Sequence, residues 1–140
     1  MNEEPIISLE IDFSNIFNEV TLYKTNIKAI GKCKIDIYNG EGPLPHFHLY
    51  SNDKKFNTCI CLYSANYFSH GGKYRDILNS SQRKLLNTFL SEEDPIYGLT
   101  RWKILCNKWE EFNPQQSMYN KIKKTDIQPD YSNMSQWKSE

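Results

Sequence analysis

The chain has 140 residues, the usual size of a single domain. Hydrophobic residues make up 39% and charged residues 24%, a balance that supports a folded core and argues against wholesale disorder. Seventeen basic residues offset seventeen acidic residues, and a net charge of zero disfavours binding to nucleic acid or anionic membranes through overall charge. We therefore expect one globular domain over residues 1–140.

The N-terminal residues and the cysteines indicate a cellular location. The first residues have neither the basic start nor the apolar run of a signal peptide. No stretch reaches the roughly 18 apolar residues that a membrane span needs. We therefore expect a cytoplasmic protein without membrane contact, whose four cysteines are reduced thiols: Cys33, Cys59, Cys61 and Cys106.

The first half of the chain alternates between apolar and polar residues, which predicts an antiparallel meander over about residues 20–63. Cys33, Ile35 and Ile37 alternate with charged residues, and Asn39-Gly40 then marks a turn. Further strands are predicted from His46 to Tyr50 and from Phe56 to Tyr63. Before this region, residues 7–13 also alternate, although the residues that follow them fit a short helical turn equally well.

The second half has helical periodicity, so the predicted fold class is α+β, with both helices packed on one face of the sheet. Asn79 and Gln82 have the spacing of a capping box and predict a helix over about 80–91. Asp94 and Pro95 fit the start of a second helix over about 95–112, which carries a strong apolar stripe. Residues 114–140 are polar with scattered aromatic residues. This composition predicts a C-terminal arm that packs against another surface and is not a free linker.

The candidate site begins with His46-Phe47-His48. On a strand the two imidazoles point to one face, and Phe47 points to the core. Cys59 and Cys61 have the same spacing on the following strand, so two histidines and two cysteines offer the ligand types of a zinc site. Four side chains on adjacent strands converge poorly, however, and buried cysteines are common in cores, so we do not expect a four-ligand structural zinc.

The histidines alone are better candidates. His46 and His48, completed by His70 on a glycine-rich loop, are candidate metal ligands and candidate catalytic residues, and with Tyr74 they form the candidate binding site. A divalent metal is therefore a possible cofactor, although the absence of any cofactor is the first expectation. Oxygen ligands or proton relays are available nearby from Asp36, Asp53 and Asp76.

The segment Pro45-His46-Phe47-His48-Leu49, followed by a turn, a strand and a loop leading into a helix, resembles a small family of bacterial domains of unknown function. Their common core reads Pro-x-His-Phe-His followed by a hydrophobic residue, and the resemblance covers residues 29–92. It implies a compact α+β unit, often encoded on mobile elements or beside short toxin–antitoxin-like partners. Only the two histidines carry over, and no activity does.

The sequence suggests three functions. The first is a non-enzymatic protein-binding module of a bacterium or mobile element, such as an anti-defence inhibitor or a toxin–antitoxin partner, because aromatic residues are frequent at interface cores. The alternative is a small metal-dependent hydrolase or nuclease that uses the pair of histidines. A third hypothesis, binding of single-stranded RNA, needs a basic groove, for which four residues are available: Lys32, Lys34, Lys54 and Lys55.

Overall fold

A computed structural model describes residues 4–14, 30–39, 44–68, 76–113 and 125–134. Six strands, two helices and one short 3-10 turn are assigned within these ranges. In chain order they are β1 (Ile7–Asp12), β2 (Lys32–Ile37), β3 (His46–Ser51), β4 (Asn57–Cys61), α1 (Ser80–Ser91), β5 (Glu93–Asp94), β6 (Leu99–Thr100), α2 (Arg101–Phe112) and the 3-10 turn Tyr131–Asn133.

Strands β1 to β4 form one antiparallel sheet in the order β1-β2-β3-β4, so each strand pairs with its neighbour in the sequence. The predicted α+β class with a meander is confirmed. The sheet begins at residues 7–12, where the alternation already indicated a strand. The part of the predicted meander from residue 20 to 29 lies outside the described residues.

The sheet has an apolar inner face and a polar outer face, because side chains alternate along each strand. The inner face is completely buried at Ile35, Leu49 and Ile60, and Phe47 lies on it as predicted. These residues form one core cluster with Leu86 of α1 and with three residues of α2: Trp102, Leu105 and Trp109. The prediction that both helices lie on one face stays a prediction, since Trp109 also contacts His46 of the outer face.

The start of α1 follows from its capping residues. The side chain of Asn79 accepts a hydrogen bond from the Gln82 backbone N–H at 2.8 Å, and the Gln82 side chain accepts one from the Asn79 N–H at 2.8 Å. These two bonds satisfy backbone donors that a helix start otherwise leaves without partners. The predicted capping box is therefore present in the structure.

The predicted start of the second helix at residue 95 is wrong, because α2 begins at Arg101 with Thr100 as its N-cap. Asp94 instead ends β5, and its side chain accepts a hydrogen bond from the Ile96 N–H at 2.8 Å in a tight turn. The turn closes at Gly98, whose φ of +70° suits a residue without a Cβ. Residues 93–100 thus form a small β5–β6 hairpin in place of the first helical turns.

The described part of the C-terminal segment packs on the domain. Tyr131 is completely buried, its hydroxyl donates to the Leu62 carbonyl at 2.8 Å, and its N–H donates to the Asn87 side chain at 2.9 Å. The rest of the predicted arm, residues 114–124 and 135–140, lies outside the described residues. Among the helices that the structure describes, none has both the length and the apolar composition needed to cross a membrane.

Candidate functional site

The outer face of the sheet brings the two predicted pairs of ligands together. In the antiparallel register of β3 and β4, His46 lies opposite Cys61 and His48 lies opposite Cys59. The imidazole rings of the two histidines are 5.2 Å apart between centroids. Side chains directly opposite one another on antiparallel strands are close neighbours, so the register alone places thiols beside imidazoles.

Three of these side chains converge. One ligand atom from each of His46, His48 and Cys59 lies within 4.8 Å of the other two. One of these contacts joins the Cys59 Sγ to the His48 Nδ1 at 3.4 Å. Cys61 is not part of this group in the described structure, although it faces His46 across the strands. Two imidazoles and one thiol are ligands that zinc prefers.

His46 is held in a defined orientation. Its ring is buried, and the Nδ1 is 2.7 Å from the carbonyl oxygen of Leu44. Since a carbonyl oxygen only accepts, the Nδ1 carries the proton, and in the neutral ring the Nε2 keeps the lone pair. The ring packs against Phe68 and Trp109, at centroid distances of 4.7 and 5.3 Å. A backbone carbonyl on the second ring nitrogen is the usual support of a metal-binding histidine.

A buried carboxylate lies beside the histidines. Asp36 is opposite His48 in the register of β2 and β3, and it is completely buried. The hydroxyls of Tyr38 and Tyr50 donate to its Oδ2 at 2.9 and 2.7 Å, and the hydroxyl of Ser8 donates to its Oδ1. Three donated hydrogen bonds replace much of the hydration that the carboxylate loses on burial.

An open pocket adjoins this group. It has a volume of about 210 Å³. His48 is the one member of the candidate metal cluster that lines the pocket. The other four lining residues are Tyr38, Tyr50, Lys54 and Asn57. His48 is the half-buried member of the candidate metal cluster, whereas the other two members are buried. The pocket therefore gives a small molecule access to the cluster from the side of His48.

Burial controls the titration of the groups around the site. It raises the pKa of Tyr50 to about 12, with a further contribution from the hydrogen bond to Asp36, and the same causes raise the pKa of Tyr38. Away from the site, burial raises the pKa values of the Cys33 and Cys106 thiols to about 12. These two thiols are therefore protonated at neutral pH and unsuited to nucleophilic chemistry.

The predicted site residues have different outcomes. His46 is buried and hydrogen-bonded to the backbone, whereas His48 is half-buried at a pocket. Asp53 accepts from Ser51 in a turn, and Asp76 accepts from the Asn57 N–H, so neither is part of the cluster. The remaining candidates, His70 and Tyr74, lie outside the described residues.

Two site residues were not predicted. Tyr38 and Tyr50 share the outer face with His48, and the alternation that marks the strands also places them on that face. The signal was present in the spacing of Asp36 and Tyr38 and of His48 and Tyr50, each pair being two residues apart on a strand. What the sequence lacked was the register that brings the two strands together.

The positive charge of the predicted basic groove is partly offset by acidic residues on the neighbouring strand. Lys32 lies opposite Asp12, and Lys34 lies opposite Glu10, in the register of β1 and β2. Opposite charges across a strand pair offset each other, so these lysines add little positive potential to the outer face. Binding of single-stranded RNA stays a prediction.

The chain matches no protein-family model, no curated protein and no solved structure. The resemblance to the Pro-x-His-Phe-His family therefore stays a prediction.

Proposed function

We propose that the protein is a small metal-dependent hydrolase that holds Zn²⁺ through His46, His48 and Cys59. The observation that carries this proposal is the convergence of three ligand atoms within 4.8 Å of one another. Nitrogen and sulfur ligands at normal zinc distances lie about 3.3–3.7 Å apart around a tetrahedral ion. The separation of 3.4 Å between the Cys59 Sγ and the His48 Nδ1 already falls in that range.

Among the described residues three ligands converge, and this number favours a catalytic site over a structural one. Structural zinc sites have four protein ligands, whereas catalytic sites have three and keep one position for water or substrate. A zinc ion held by these residues would lower the pKa of such a water, and would so supply the nucleophile for hydrolysis of an ester, amide or phosphoester bond. The pocket beside His48 offers room for the molecule to be cleaved.

The test measures zinc content and hydrolysis in the same samples. The purified protein is expected to hold one zinc per chain and to cleave a chromogenic ester or phosphodiester, with the activity lost to a chelator and restored by zinc. His48→Ala and Cys59→Ser are expected to lose both properties. Cys61→Ser is the matched control, because Cys61 lies on the same strand face but outside the cluster. Circular dichroism checks that each variant is folded.

His70→Ala separates the catalytic from the structural interpretation. If the fourth position belongs to water, this variant keeps its zinc. Loss of zinc in His70→Ala, or zinc without hydrolysis of either probe, would contradict a hydrolase while leaving a metal site. A protein that binds no zinc would contradict the whole proposal.

A second candidate function is protein binding, which the β5–β6 hairpin favours. Its tip exposes 87% of Ile96 and 53% of Tyr97 to solvent, and Leu99 is also exposed. Neighbouring exposed apolar side chains are typical of interaction sites. The test compares which partner protein each variant retains in a capture experiment. If this is the binding surface, Ile96→Asp and Tyr97→Asp will each fail to retain the partner that the wild-type protein captures. Ile127→Asp, at an isoleucine that is exposed elsewhere, will retain it; equal retention by all three variants would contradict the proposal.

A further inference from the structure

The part of the pocket wall formed by Tyr38 and Tyr50 has a defined hydrogen-bonding character. Tyr38 and Tyr50 line the pocket, and both hydroxyls donate to the Oδ2 of Asp36. A phenol has one proton, and here each phenol uses that proton on the carboxylate. The two hydroxyls also form a side-chain hydrogen bond with each other, so the lone pairs that this bond does not use are what remains for a ligand. This wall therefore accepts hydrogen bonds from a ligand and does not donate them.

The charge of the wall points in the same direction. The Asp36 carboxylate is completely buried, and within the described ranges it forms hydrogen bonds to hydroxyls but no ion pair. No cation is ion-paired to it in this part of the structure, and the lysine on the same strand face, Lys34, lies opposite Tyr50. Tyrosine rings add the negative potential of their faces. A positively charged donor satisfies both the acceptors and the charge.

The side chain of Lys54 places a cation beside the Tyr50 ring. The residue lies in the turn between β3 and β4, and its ammonium nitrogen is 5.9 Å from the centroid of the Tyr50 ring. This distance is at the outer limit of a cation–π contact, so the interaction is weak. The lysine is exposed on a turn and can move aside when another cation enters. Any cation that enters the pocket therefore competes with the Lys54 ammonium for this position.

We infer that the pocket binds the ammonium group of a small primary amine, held by the phenol oxygens of Tyr38 and Tyr50 above the Asp36 carboxylate. The inference deepens the proposed function, because it names the substrate class as molecules that carry an ammonium group near the bond to be cleaved. His48 lines the same pocket as the two tyrosines, so a molecule bound through its ammonium group lies beside a candidate metal ligand.

The test uses n-butylamine, protonated at neutral pH, with butyrate and n-butanol as the matched anion and neutral probe. Binding is measured by ligand-observed NMR on protein from which metal has been stripped and the chelator removed. The amine is expected to bind more tightly than either comparison probe. Tyr50→Phe keeps the ring but removes the acceptor, and is expected to weaken amine binding about tenfold, the usual effect of a hydrogen bond to a charged group.

Lys54→Ala provides the sharper test. Removing a competing cation is expected to tighten amine binding, whereas weaker amine binding or tighter butyrate binding in this variant would overturn the inference. Lys84→Ala, at an exposed lysine that does not line the pocket, is the matched control and is expected to bind like the wild type. Equal binding of the three probes to the wild type would also overturn the inference. Because metal is absent throughout, these outcomes do not depend on whether the zinc proposal holds.

Discussion

The Sγ of Cys59 lies 3.4 Å from the Nδ1 of His48, on neighbouring strands that pair in antiparallel register. The two residues are 11 positions apart in the chain, and the turn between β3 and β4 brings them face to face. The separation suits a thiol–imidazole contact and, equally, two ligands of one zinc ion. Spectroscopy of a substituted metal distinguishes these alternatives.

Cobalt is the suitable probe, because Co²⁺ occupies zinc sites and has visible absorption bands that depend on its ligands. Co²⁺ added to the metal-free protein is expected to give intense visible bands and a near-ultraviolet thiolate-to-cobalt band. Cys59→Ser should remove the thiolate band, since a hydroxyl replaces the sulfur, while Cys61→Ser should keep it. A thiolate band that persists in Cys59→Ser would show that another cysteine is the ligand.

The raised pKa of Tyr50 makes stability fall at alkaline pH. Its pKa is about 12 in the folded protein and about 10 in an unfolded chain. Between these values the unfolded chain releases the proton and the folded protein keeps it, so the free energy of unfolding decreases as pH rises. Urea titrations across this range are expected to show a shallower decrease for Tyr50→Phe. A decrease as steep as in the wild type would show that Tyr50 does not contribute; Tyr97→Phe is the control.

Trp102 anchors α2 to the sheet. It is buried, and its indole N–H donates to the Leu62 carbonyl at 2.9 Å. Trp102→Ala is expected to lower the free energy of unfolding by about 3–5 kcal/mol, because it leaves a cavity and removes one of the two donors to the buried Leu62 carbonyl. Denaturant titration measures the change. Phe112→Ala, at the exposed end of the same helix, should cost far less, and similar losses in the two variants would contradict the packing described here.

Thr100 and Asp94 test where α2 begins. The Thr100 hydroxyl accepts a hydrogen bond from the Lys103 N–H at 3.1 Å, so Thr100→Ala is expected to cost about 1 kcal/mol. Hydrogen exchange should show faster exchange of the Lys103 amide in this variant. Asp94→Ala opens the hairpin turn and is expected to leave the Lys103 amide unchanged. Faster exchange of the Lys103 amide in Asp94→Ala, with no change in Thr100→Ala, would contradict a helix start at Arg101 and favour one at residue 95.

Short-range patterns in the sequence were sufficient for most of the fold. The alternation of Cys33, Ile35 and Ile37 identified a strand, and the spacing of Asn79 and Gln82 identified a helix start, because both signals depend on adjacent residues. Asp94-Pro95 led to a wrong helix start, because this signal too depends only on adjacent residues. An aspartate before a proline suits a helix N-cap and a turn alike, and the pairing of β5 with β6 decides between them.

The candidate site was only partly predictable, since it depends on contacts between strands. The two-residue spacing placed His46 and His48 on one face, but it gave no reason to choose Cys59 over Cys61 as the third ligand. The register of β3 and β4 and the direction of the side chains make that choice. Asp36 acquires its tyrosine partners in the same way, from β2 and β3 together. Register is a long-range property that one sequence pattern does not contain.

The buried Tyr131 bears on folding during synthesis, because the first strands of the sheet are made long before it. Its ring lies 6.1 Å from that of Phe47, and its hydroxyl binds the carbonyl that follows β4, so a residue made late covers strands made early. While the ribosome is still translating the segment before it, this part of the sheet is uncovered and available to chaperones or to other nascent chains. A ribosome that stalls before Tyr131 would therefore leave an intermediate with an open core.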